Sequence, residues 1–109
     1  MKVTINDEVI LYKLKSGHFI TQDTVFRMLG FSETNYRNIM NDYRTSRHLK
    51  RHNYQEFQLI HIPSRGGFHY ERMISLDCFR TLAEYLKETY KCVKATQALK
   101  VVFQGVTEN

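Results

Sequence analysis

The sequence predicts a small α+β fold in a single domain over residues 1–109: a helix-turn-helix-like helix pair, a β-hairpin wing and two C-terminal packing helices. Three observations predict it. With 109 residues, 42% hydrophobic and 25% charged, the chain can bury one modest core. Helical periodicity fills two separate blocks, residues 22–43 and 76–103, and two β-rich segments around a Gly-Gly turn lie between them. Three helix starts share one local pattern. At Ile20-Thr21, Phe31-Ser32 and Ile74-Ser75 an apolar residue precedes a hydroxyl N-cap, and a second apolar residue, Val25, Tyr36 or Phe79, follows at staple spacing. Asp23, Glu33 and Asp77 add a carboxylate to each first turn, where the helix dipole favours it.

Residues 9–14 (VILYKL) are rich in β-branched and aromatic side chains and stop at Ser16-Gly17, which predicts a short strand and a turn. The first helix spans residues 22–29, with Val25, Phe26 and Leu29 inward, and stops at Gly30. A second follows over residues 33–43, its buried stripe being Tyr36, Ile39, Met40 and Tyr43. Residues 57–62 and 68–74 read as strands joined by Pro63-Ser64-Arg65-Gly66-Gly67, a basic hairpin tip. Two helices close the chain. Over residues 76–87 the stripe is Leu76, Phe79, Leu82, Ala83 and Leu86; over residues 90–103 it is Tyr90, Val93, Gln97, Ala98, Val101 and Val102.

The net charge is +5, and it is concentrated. Residues 1–42 hold five bases and five acids, residues 43–69 five bases and one acid, and residues 70–109 six bases and five acids. Four of the five histidines, His48, His52, His61 and His69, share the basic quarter. A patch of that kind points to a polyanion, since scattered lysines suffice for solubility.

Residues 22–40 have the helix, glycine turn, helix order that seats a second helix in a DNA major groove. Phe26 stands where a small residue usually allows close contact, which predicts a wider crossing. On the polar face of the second helix, Asn35, Asn38 and Asn41 offer bidentate pairs to adenine, and Arg37 and Arg44 reach guanine or phosphate. Arg44, Arg47, Lys50 and Arg51 then supply phosphate contacts, and Arg65 on the wing tip suits a narrow minor groove. The plainer alternatives are a helical hairpin with a solvated face, a solvated basic loop and an ordinary turn. Were residues 48–52 helical, His48 and His52 would share a face, but four cations surround them and no carboxylate or thiol is near in sequence. No metal is expected there; protonation below pH about 6.5 would instead strengthen anion binding.

Catalytic signatures are missing from the sequence: no GxSxG, HExxH or Walker loop, and no paired carboxylates near a histidine. Neither enzyme activity nor a cofactor is expected. Cys78 and Cys92 fall on apolar helices without a CxxC partner and read as buried thiols in a reducing compartment. No apolar run approaches the roughly 20 residues of a membrane span, and the charged residues at 1–8 do not form a signal core, so an intracellular location is expected.

Residues 25–43 (VFRMLGFSETNYRNIMNDY), the basic stretch, the Gly-Gly hairpin and residues 73–79 (MISLDCF) together resemble the N-terminal domains of phage antirepressors and of the BRO-N and KilA-N group of large DNA viruses. The matching residues are Phe26, Leu29, Gly30 and Phe31, then Ile74, Leu76, Asp77 and Phe79. The resemblance implies a DNA-binding regulatory module of a virus, prophage or mobile element, and no catalytic residue. The leading expectation is therefore a binder of double-stranded DNA. Its rival is a protein-interaction module that docks its basic face on an acidic repressor or host factor. Single-stranded nucleic acid is a third possibility, because Tyr36, Tyr43, Tyr54, Phe57 and Tyr70 interleave with the basic residues, although their periodicity assigns most of them to the core. A helix-turn-helix reader usually works as a homodimer, and the stripe over residues 90–103 is the candidate face.

Overall fold

A computed structural model of the chain describes residues 2–4, 9–61 and 69–108. The elements run β1 (Lys2–Thr4), β2 (Ile10–Leu14), β3 (Gly17–Thr21), α1 (Gln22–Leu29), α2 (Glu33–Asn41), α3 (Tyr43–Arg51), β4 (Glu56–His61), β5 (His69–Ser75), α4 (Leu76–Thr89) and α5 (Val93–Glu108). This is an α+β architecture: an antiparallel sheet in the order β1-β2-β3-β5-β4, with helices packed against it. The hairpin β4–β5 pairs from Glu56 opposite Ile74 to His61 opposite His69. Its tip, including Arg65, lies outside the described residues.

Side chains alternate across the sheet and divide the core in two. Leu11, Ile20 and Ile74 are cross-strand neighbours that join Val25, Leu29, Phe79, Leu82 and Val102 in the main core. Tyr12, Phe19 and Met73 form a smaller cluster with Ile10. Each fully buried large side chain of this kind contributes about 1.5–3 kcal/mol.

All three staple-type helix starts are capped as the sequence predicts. The side chains of Thr21, Ser32 and Ser75 accept hydrogen bonds from the N–H groups of Thr24, Asn35 and Cys78. Helix α1 ends at Gly30, at φ 76°, with Gly30 N–H donating to Arg27 O at 3.3 Å and Phe31 N–H to Phe26 O at 3.0 Å. That pair of bonds needs a left-handed residue, which glycine adopts without Cβ strain. Phe26 is buried and packs against Tyr36 with the rings tilted by 58°, 4.4 Å between centroids.

Four expectations are corrected. The second helix ends at Asn41, because Asp42 takes an extended conformation (ψ 133°) and its carboxylate accepts from Thr45 N–H, starting α3. Tyr43 therefore leaves the expected buried stripe and stands 77% exposed. In α5 Ala95, Ala98, Val102 and Gly105 are buried, while Val93 and Gln97 are exposed and Tyr90 caps α4. Cys78 is buried as expected, but Cys92 is only half-buried; both thiols are free. Strands β1 and β3 had no counterpart in the sequence reading, β3 because its five residues run straight into the α1 cap.

Candidate nucleic-acid interface

Helix α3 holds the basic stretch. Among its nine residues Thr45 and Leu49 are buried, His48 is half-buried and the other six are exposed. A period of 3.6 residues explains the division: Thr45 and Leu49 lie one turn apart on the inner face, while Arg44, Arg47, Lys50 and Arg51 fall on the outer arc. The helix carries no acid, and none of these four cations has a carboxylate partner among the described residues. Helix α3 is therefore a cationic face of one sign, with the Asp42 carboxylate at the N-cap just before it.

The inner face is fastened by hydroxyls. Thr45 is fully buried and donates to the Tyr85 hydroxyl at 3.1 Å, and the Tyr90 hydroxyl lies 3.3 Å from the same Thr45 oxygen. One turn on, the His48 ring contacts Tyr85 and His52, each at 4.5 Å between centroids. The two imidazoles thus share a face, in tilted contact with each other, His48 also meeting a tyrosine of α4. Among the described residues no group of three or more His, Cys, Asp or Glu converges as a metal set requires. At its C-terminal end the helix turns on Asn53, at φ 57°, with Tyr54 N–H donating to Leu49 O at 3.0 Å.

The asparagines and Arg37 occupy the exposed side of α2, as the sequence predicts, but they do not act as one group. Arg37 is held by Glu33 at 2.6 Å, both side chains more than half exposed. Arg37 and Asn41 line a cleft of about 250 Å³ together with Met40, Glu56 and Arg72. Lys50 lines an adjoining cleft that shares Met40 and Glu56. Asn35 and Asn38 are exposed and line neither cleft. Arg72 escaped the sequence reading because it lies 28 positions beyond Arg44, and only the register Gln58 opposite Arg72 brings it beside β4.

The cleft is buttressed by a pair of tyrosines. The hydroxyls of Tyr36 and Tyr54 lie 3.0 Å apart. Burial pushes Tyr36 up to about 12, and Tyr54 is raised as well, also chiefly by burial. Beyond the second core, Tyr12 donates to Glu71 at 2.9 Å and is raised to about 12 by burial and by that carboxylate. No helix among the described residues is long and apolar enough to cross a membrane.

No protein-family model, curated protein or solved structure matches this chain.

Proposed function

We propose that the chain is a DNA-binding module that holds double-stranded DNA against the outer face of α3. The observation that carries the reading is the one-signed face itself: Arg44, Arg47, Lys50 and Arg51 on a single helix, exposed and without carboxylate partners among the described residues. Exposed cations left unpaired are available to phosphates, and every phosphate they neutralise releases counterions. Arg37, Asn41 and Arg72 border the adjoining cleft and are the side chains placed to meet base edges, with Asn35 and Asn38 further along α2. Arg37 must first exchange Glu33 for DNA, an inexpensive step for an exposed pair. The module binds and does not catalyse, in keeping with the regulatory role that the resemblance to antirepressor and BRO-N domains implies.

The test is duplex binding by fluorescence anisotropy at varied salt. With four phosphates neutralised, the logarithmic salt slope should be about −3.6, a loss of roughly a hundredfold between 50 and 200 mM salt. Replacing Arg44, Arg47, Lys50 and Arg51 together with alanine should abolish that slope while circular dichroism stays native. Wild-type affinity in this folded variant would sink the reading. Weak salt dependence, with capture by an acidic protein surface instead, would favour the protein-docking alternative.

A further inference from the structure

The chain has seven tyrosines, and Tyr43 is set apart from the other six. Tyr12, Tyr36 and Tyr85 are buried, Tyr54 is half-buried with its hydroxyl bonded to Tyr36, and Tyr90 bonds Thr45. Tyr70 is 54% exposed and sits on the hairpin. Tyr43 is 77% exposed and has neither an aromatic nor a polar side-chain partner among the described residues. A single exposed aromatic is ordinary on a protein surface. The setting of Tyr43 is not ordinary, because it opens the helix that carries the unpaired cations. Arg47 follows at i+4 and Lys50 at i+7 on the same stripe, with Arg44 adjacent, so the ring stands one turn from the nearest cation of its row.

The platform is also fixed. Two residues on, Thr45 is fully buried against Tyr85 and Tyr90, and Asp42 caps the turn in which Tyr43 lies. An exposed aromatic ring on a fixed helix turn beside cations with no carboxylate partner among the described residues matches the chemistry of base stacking, in which the ring meets the π-face of a base and the cations hold the flanking phosphates. Because Asp42 already occupies the N-terminus of α3, phosphates at this end are held by side chains and not by free N–H groups.

We propose that Tyr43 is a stacking platform for an unstacked nucleobase, with Arg44, Arg47 and Lys50 holding its flanking phosphates. The inference rests on the DNA-binding reading and narrows it: α3 prefers nucleic acid that offers a base outside a continuous stack. Such a base is supplied by a single strand or by a bulge in a duplex. Intact duplex is held through phosphates alone at this residue.

The experiment measures anisotropy binding of the full chain to a labelled single strand, the intact duplex and the same duplex with a short bulge. The proteins are wild type, Tyr43→Ala, Tyr43→Phe and the four-alanine variant of α3. Because Tyr43 makes no core contact, its variants should fold, which thermal unfolding checks. Tyr43→Ala should weaken single-strand and bulge binding about tenfold and change intact-duplex binding less than about twofold, while Tyr43→Phe stays near wild type. Unchanged single-strand and bulge binding by Tyr43→Ala overturns the stacking role. So does a loss in Tyr43→Phe equal to that in Tyr43→Ala, which would assign the hydroxyl, or an equal loss on intact duplex. In each of those cases a four-alanine variant that binds none of the probes leaves the phosphate-binding reading standing. Wild-type binding by the four-alanine variant removes both.

Discussion

Tyr36 shows how much one buried hydroxyl contributes. Its ring is 3% exposed, packs on Phe26, and shares a hydrogen bond with Tyr54 between α2 and the segment that enters β4. Since its folded-state value of about 12 lies above the ordinary 10, the folded protein holds this proton more tightly than the unfolded chain does. Its stabilising contribution is complete below pH 10 and is lost as pH rises through 12. Tyr12 acts in the same direction. Stability should therefore fall between pH 10 and 12, by about 2–3 kcal/mol for Tyr36, as read from the urea midpoint at each pH. Tyr36→Phe should flatten that decline and lower neutral-pH stability by about 1 kcal/mol, because Tyr54 loses its partner.

At the scale of elements, the decisive residue is Asp42. It ends α2 by leaving helical geometry and starts α3 by capping it, so one residue divides the helix that bears the asparagines from the helix that bears the cations. Asp42→Ala should cost about 1 kcal/mol, the usual value of an N-cap, measured as a lowered urea midpoint with little change in its slope. This break was the part of the site that the sequence concealed. Tyr36, Ile39, Met40 and Tyr43 fit one unbroken stripe, and an aromatic at position 43 reads as core; nothing local reveals that the chain turns one residue earlier. The three hydroxyl caps were legible because capping depends only on neighbours within a single turn. Asp42 belongs to the same chemistry, but no apolar residue precedes it to make the staple that marked the others. In α5 the buried stripe includes Ala98 and Val102 as the sequence predicts, but also the small Ala95, which the larger neighbouring side chains outweigh in a hydrophobicity pattern although close packing of α4 on α5 favours it.

Over the whole molecule, the charge is segregated as the sequence predicts, and folding sharpens the segregation. Four of the five bases in residues 43–69 lie on the outer arc of α3, whereas the arginines Arg37 and Arg72 sit in a cleft bordered by Asp23, Glu33 and Glu71. On the proposed DNA-binding reading the phosphate contacts lie in α3, so replacing Arg72 should alter sequence preference more than salt slope, as anisotropy titrations of several duplexes at varied salt would show. What the sequence could not supply is strand order. Local patterns identify strands, but pairing β3 with β5 joins positions more than fifty apart.

That strand order also bears on synthesis. Because β5 lies between β3 and β4, the sheet has a gap at its centre until residues 69–75 exist, and α1 to α3 have been made by then without their main support. The helix that bears the cations is thus translated before the tyrosines that anchor it, Tyr85 in α4 and Tyr90 at its C-cap. A nascent chain halted before β5 should be unstructured and protease-sensitive on the ribosome, and one extended past α4 should become resistant in a single step, so the basic helix acquires its fixed orientation only after α4 has been synthesised.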